Sequence, residues 1–421
     1  MKSLGSDAAI SRPRVPAYAW VVFALTFGLL ISDYMARQVL NAVFPLLKTE
    51  WGLTDGQLGF LAGVVPLMVG LLTLPVSMLA DRFGRARSVV IMAVIWSVAT
   101  LLCALANNYD QMLIARVLVG VGEAAYGSVG IAVIISVFPK HMRGTLTGAF
   151  MAGGLAGQVL GVGIGGAIAA THGWRMAFNA IGIAGLMLAA AYAWWVRDSR
   201  LSSSQAPERP RLTLENLKTL FAGRTLTCAY VASGLQLFVA GALPAWLPTY
   251  FVRYYDLPLQ KAAPLAAIFL AIGGVGMVLC GMASDRFVQG ADRRARLSAG
   301  FCLISAILVA AAFAVGPGVP QLALLGLAMF FAASTAGAAG AIVAALTPAA
   351  LHGTAFAVLT LANNVFGLAP GPILTGWLAD RVGLIGALQM LPIASIAAAM
   401  VFFLASRGPA ADLSPGAVYP A

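Results

Sequence analysis

Four charged residues, Asp33, Arg37, Arg116 and Glu123, stand deep inside long apolar runs. A charge near the centre of a bilayer costs at least about 2.5–3.5 kcal/mol on insertion scales, so such residues face a cavity or a partner. On helices, Asp33 and Arg37 share one face, and Arg116, Gly120 and Glu123 share one stripe. At about 1.5 Å of rise per residue, Glu123 falls near the middle of its span. Asp33 lies a few residues outward, and the two arginines lie further out. A carboxylate in a partly desolvated cavity can hold a proton at working pH. A guanidinium stays charged and can take an anionic ligand bidentately. An anion that draws the guanidinium off its carboxylate would favour protonation of that carboxylate, so anion and proton binding become linked. This pattern makes Glu123 and then Asp33 the expected proton carriers. Arg37 and Arg116 become the expected anion clamp or charge partners, as against a static set of ion pairs that only fixes helix packing. Neutral candidates for the same cavity are Tyr126, Gln236, Trp246, Asn363 and Asn364. His141, His172 and His352 are dispersed at loop edges and suggest no metal or relay.

The elements that must position these groups follow from composition. Of 421 residues, 60% are hydrophobic and 10% charged, against about 45–50% apolar and about 25% charged in an ordinary soluble domain. The expectation is an all-α membrane protein with about twelve spans at roughly 30–35 residues per helix and loop. Residues 1–16 read as a tail, 17–196 as a first six-helix half, 197–224 as a polar basic linker, 225–406 as a second half and 407–421 as a second tail. The first helix is expected over 17–43, and a short amphipathic helix near 213–221. The run from Ala17 is too long, and too charged at Asp33 and Arg37, for a cleavable signal. With the N-terminus inside, 19 of the 26 Lys and Arg fall in inner segments and 5 outside. That bias predicts both termini in the cytoplasm, and it explains the net charge of +11 without nucleic acid. Cys103, Cys228, Cys280 and Cys302 lie in apolar runs and imply neither metal nor disulfide. The halves echo each other: LADRF at 79–83 recurs as ASDRF at 283–287, and Gly165-Gly166 as Gly371-Pro372. Two like halves suit alternating access around a central site.

Three stretches carry a family resemblance. Ser77-Met78-Leu79-Ala80-Asp81-Arg82-Phe83-Gly84-Arg85-Ala86-Arg87 resembles the GxLaDRxGRxx loop of the major facilitator superfamily, with Ser77 in place of the first Gly. Arg116 to Gly122 resembles that superfamily's RxxxGxG fourth-helix motif. Gly153, Gly157, Gly161 and Gly165, four residues apart, look like a variant of its fifth-helix glycine motif and form a smooth ridge for close helix packing. The Pro of the drug-antiporter version is missing. The resemblance covers essentially the whole chain. It implies a gating loop of Asp81, Arg82, Gly84 and Arg85, with Asp81 as a latch between the halves.

Tyr34 to Leu40 further resembles the YxDRxxL first-helix motif of organic-anion symporters of the hexuronate, galactonate and sialin group. The motif's Asp is Ala36 here, and Asp33 is the nearest acid. GEAAY at 122–126 also resembles the GEASY of spinster-type lipid transporters. The resemblance implies a proton-coupled symporter of a small organic carboxylate in a bacterial inner membrane. It would bind a small-molecule substrate and membrane lipids, work as a monomer and use no cofactor beyond the coupling protons. The alternatives are a spinster-like carrier of lysolipids or amphiphiles and a proton-driven drug or metabolite exporter. A membrane enzyme would need a clustered nucleophile or metal site, and a sensor would need a soluble signalling domain.

Overall fold

The computed structural model describes residues 16–198, 220–221, 223–348 and 351–407, without the side chains of Asp81 and Lys140. The N-terminal tail before Pro16, the C-terminal tail after Arg407 and most of the expected 213–221 helix lie outside the described residues. The first half holds α1 (Ala17–Trp51), α2 (Asp55–Phe83) and α3 (Arg85–Leu105). It continues with α4 (Tyr109–Val137), α5 (Arg143–His172) and α6 (Trp174–Trp195). The second half holds α7 (Arg224–Tyr254), α8 (Leu259–Phe287), α9 (Ala291–Ala314) and α10 (Val319–Leu346). It ends with α11 (352–382) and α12 (384–406), which Gly383 separates at φ 77°, ψ 161°. Among the described residues, eleven helices are long and apolar enough to cross a membrane, and Leu391–Ser406 is a shorter apolar helix. Large apolar side chains such as Leu71, Ile114, Met187 and Ile307 face outward, as suits a lipid-facing surface.

The first helix runs eight residues past its expected end at 43. Pro45 sits within it without ending it, and Gly52 (φ 64°) stops it, its N–H donating to the Lys48 carbonyl at 3.0 Å. The duplication expected from sequence recurs in the backbone. Gly84 (φ 93°) between α2 and α3 is matched by Gly290 (φ 91°) between α8 and α9, and Gly173 (φ 84°) by Gly383. α4 breaks at Ala124–Ala125, and α10 breaks at Ala333–Ser334.

The core divides unevenly. At the arginine-poor end one cluster joins both halves, from Val39, Phe44 and Leu47 to Trp246, Leu247 and Leu270. At the arginine-rich end there are two clusters. One, with Val22, Trp96 and Phe150, belongs to the first half; the other, with Tyr230, Ile342 and Phe402, belongs to the second. The halves meet through α1 with α7, α2 with α11 and α5 with α8. They are closed together at one end, with a cavity below the closure.

Candidate functional site

The cavity holds about 270 Å³ and is lined by α1, α2 and α5 on one side and by α7, α8, α10 and α11 on the other. α1 presents Tyr34, Arg37, Gln38 and Asn41 to it, which is one helical face at i, i+3, i+4 and i+7. The glycine ridge of α5 sets the position of that face. A Cβ on Gly157 would lie 2.6 Å from the Ile31 carbonyl oxygen, and one on Gly161 would lie 2.8 Å from the Met35 Cα. A Cβ on Gly153 would meet the Phe27 ring at 2.7 Å, and one on Gly165 would meet Val39 at 2.7 Å. Contacts four residues apart on both helices make α1 and α5 parallel and in backbone contact, the small-residue packing of membrane helices. Gly120 and Gly122 of the fourth-helix motif do the same for α4, against Val65 and Met68 of α2 and against Trp96 of α3.

The four intramembrane charges come together, and their pairing is resolved. Arg37 donates to Glu123 Oε2 through Nε at 3.0 Å and Nη2 at 2.7 Å. Arg37 keeps 14% of its side-chain surface exposed, on the cavity wall, while Glu123 keeps none. Its guanidinium also lies 5.0 Å from the Tyr34 ring centroid, a cation–π distance. Asp33 is also buried, 3% exposed, one helical turn before Arg37 on α1. Asp33 Oδ1 and Glu123 Oε1 are buried with no hydrogen-bond partner among the described residues. Such orphaned carboxyl oxygens in a low-dielectric site are costly unless a proton or a ligand meets them.

Arg116 is placed differently. It is 1% exposed and donates to the carbonyls of Leu61, Ala36 and Arg37 at 3.3, 3.0 and 3.1 Å. It ties α4 to α1 and α2 and does not line the cavity.

The neutral candidates also lie off the cavity wall. Gln236 is buried and donates to Ser305 Oγ and the Ala332 carbonyl, joining α7 to α9 and α10. Trp246 is buried at the joint between halves, 5.2 Å from the Phe44 ring, with its Nε1 donating to the Pro372 carbonyl at 3.3 Å. Tyr126 donates to the Thr26 carbonyl at 2.6 Å and stacks edge-on against Trp96. Asn364 donates to the Thr360 carbonyl at 2.9 Å where α11 widens into a π-turn over Asn364–Leu368. Asn363 precedes that turn, its Oδ1 buried without a partner among the described residues. Gln38, Asn41 and Gln158 line the cavity instead. The first two were legible as continuations of the Tyr34–Arg37 stripe. Gln158 is marked only by lying beside Gly157.

At the arginine-rich end, Gly84 turns the chain, and the Asp198 carboxylate accepts from the Ala86 N–H at 2.8 Å. This caps α3 from the end of the first half, a residue that the loop motif does not contain. Arg82 is exposed and Arg85 half-buried beside it. The side chain of Asp81 lies outside the described residues.

The closed end carries its own polar seal. The Asp55 carboxylate of α2 receives Lys48 at 2.7 Å and, from the other half, Arg253 at 2.6 and 2.7 Å. Asp380 of α11 accepts from the backbone N–H groups of Asp55 and Gly56 at 2.8 Å each. It thereby caps α2 from across the interface, where a carboxylate is favoured.

Paired apolar spans and a charged cavity between two like halves define a multi-pass membrane transport protein. The chain belongs to the Major Facilitator Superfamily, whose model matches residues 26–322. It is 28% identical over 345 residues, 77% of this chain and 75% of the relative, to a protein of Escherichia coli (strain K12) described as "Probable L-galactonate transporter". It is 28% identical to the gallate transporter of Pseudomonas putida over 66% of this chain and 68% of that one. In fold it matches a bacterial homologue of the human lysosomal transporter Spinster, with a TM-score of 0.83, 21% identity and coverage of 93% and 98%. It is a transporter and not an enzyme.

Proposed function

We propose that the protein is a proton-coupled symporter of a small organic anion, working by alternating access in a bacterial inner membrane with both termini in the cytoplasm. The observation that carries this reading is the Arg37–Glu123 ion pair on the edge of the inter-half cavity. Arg37 is the exposed partner, so an incoming carboxylate can compete for its guanidinium while Glu123 stays buried. A buried carboxylate that loses its cation favours its protonated form, and two buried carboxyl groups near one cation carry two charges less readily once that cation is drawn away. The Asp33–Glu123 pair therefore loads a proton as the anion arrives. Asp33 stands one turn from Ala36 and supplies the acid that the first-helix motif lacks there. Arg116 acts as an anchor that holds the α1 backbone in register. The relatives named for galactonate and gallate both carry organic acids by their descriptions, which supports the anion class.

The closed, arginine-poor end is then the periplasmic side, and the cavity opens toward the cytoplasm. Asp81 keeps the role its motif implies, a latch at the cytoplasmic side that engages when that side closes. The protein works as a monomer among membrane lipids, with protons as the only coupling ion.

The test is proton uptake into proteoliposomes, followed with an internal pH dye, across one panel of small organic acids and one of lysolipids. Acidification on addition of an organic acid is the expected result. A response to lysolipids alone would replace this reading with the amphiphile carrier.

A further inference from the structure

The cavity wall is chemically one-sided. Its polar groups, Tyr34, Arg37, Gln38, Asn41 and Gln158, all come from the first half. Everything it takes from the second half is apolar, with Leu237, Leu270, Met277 and Met329 among the side chains. The Asn41 amide N–H donates to Gln38 Oε1 at 2.5 Å, which orders these two side chains on the polar side. The Arg37 guanidinium is bracketed by Glu123 and the Tyr34 ring, so it offers one approach to a carboxylate. The volume of about 270 Å³ lies just under the roughly 300–1,000 Å³ of sites for drug-sized ligands.

We propose that this cavity selects an aromatic monocarboxylate over a polyhydroxylated sugar acid. The carboxylate lies toward Arg37 on the first half, and the ring lies against Leu237, Leu270 and Met277 on the second. The proposal rests on the organic-anion reading and narrows it. A ring presents only carbon to this apolar wall, and thioether sulfurs make favourable contacts with aromatic rings. A sugar acid would turn several hydroxyls against carbon, where each must give up its water without a partner. The amides of the polar side can meet the carboxylate and hydroxyls turned toward them, but hydroxyls turned toward the second half meet no polar side chain. Relatives described for an aromatic acid and for a sugar acid both occur, so family membership does not decide between them, and the wall does.

The experiment is calorimetric titration of the purified full-length protein with benzoate, galactonate and, as a neutral control, benzyl alcohol. Benzoate is expected to bind at least about 10²-fold more tightly than galactonate, the discrimination that a single misplaced hydroxyl can produce in an apolar pocket. Met277→Gln, which puts an amide on the apolar wall, should narrow that ratio by about tenfold. Galactonate binding as tightly as benzoate would overturn the proposal and leave the organic-anion reading standing. Binding of neither acid would remove that reading and this proposal together. Benzyl alcohol matching benzoate would also overturn it, since the carboxylate would then carry no recognition. The wild-type comparison decides the matter even if Met277→Gln does not fold.

Discussion

Replacing Asp380 with alanine should loosen the closed end of the transporter without touching its cavity. Asp380 accepts two backbone N–H bonds at 2.8 Å from the first turn of α2. Capping a helix N-terminus is worth about 0.5–2 kcal/mol, and hydrogen bonds to charged groups about 1.5–3 kcal/mol each. Asp380 is exposed, so solvent competes, and the pair together is worth about 1–2 kcal/mol. At 1.4 kcal/mol per factor of ten, the ratio of closed to open forms at this end should fall about 5- to 30-fold. Arg253→Gln in the same chain removes the ion pair to Asp55 at 2.6 and 2.7 Å and should shift the ratio further, although Lys48 stays on Asp55. Spin labels at Thr49 and Lys261, exposed on opposite halves of this end, report the separation by pulsed electron resonance once the four native cysteines are replaced. A longer-distance population should grow by the stated factor. An unchanged distribution in a well-folded Asp380→Ala protein would refute the reasoning, because Asp380 would then cap α2 without weighing on closure.

The arginines should separate by experiment. Arg37→Gln should weaken binding of an organic acid by about 30-fold to several thousand-fold, the cost of truncating one partner of a charge pair, read by titration calorimetry. Arg116→Gln removes three charge-assisted bonds that tie α4 to α1 and α2 and should cost about 3 kcal/mol or more of stability, seen as a larger fall in the thermal midpoint than Arg37→Gln gives. Gly161→Leu drives a side chain into the α1 backbone at Met35 and should cost about 1–3 kcal/mol; a midpoint equal to wild type would show that α1 and α5 do not need this contact. Asp33→Asn should impair proton coupling, and full proton-driven uptake in that variant would exclude Asp33 from the relay.

Much of this architecture is legible in the sequence, because a bilayer leaves the chain few options. The apolar runs locate the helices, the repeated motifs locate the halves, and the rarity of intramembrane charge isolates Asp33, Arg37, Arg116 and Glu123. Helix ends were less legible: α1 passes Pro45 because a membrane helix tolerates it, and only the left-handed Gly52 ends it. The distinction between clamp and anchor was not legible. Arg37 and Arg116 look alike as isolated charges, and which one meets a carboxylate depends on how α1 and α4 rotate against each other. Polar residues of the second half misled for a related reason. Gln236 and Trp246 are polar enough to line a cavity, yet the Gln236 amide N–H and the Trp246 Nε1–H both donate to neighbouring helices, which periodicity does not reveal. The seal at Asp55, Arg253 and Asp380 joins residues up to 325 positions apart, and no local pattern announces it.

The central claim is that Glu123 couples proton movement to anion movement. It is tested most directly by comparing wild type with Glu123→Gln in proteoliposomes loaded with a pH dye. The same vesicles are assayed for exchange of labelled organic acid across the membrane with no pH gradient. The account predicts that Glu123→Gln still exchanges the acid but no longer acidifies the lumen when acid is added. Acidification at the wild-type rate and stoichiometry in Glu123→Gln would contradict it.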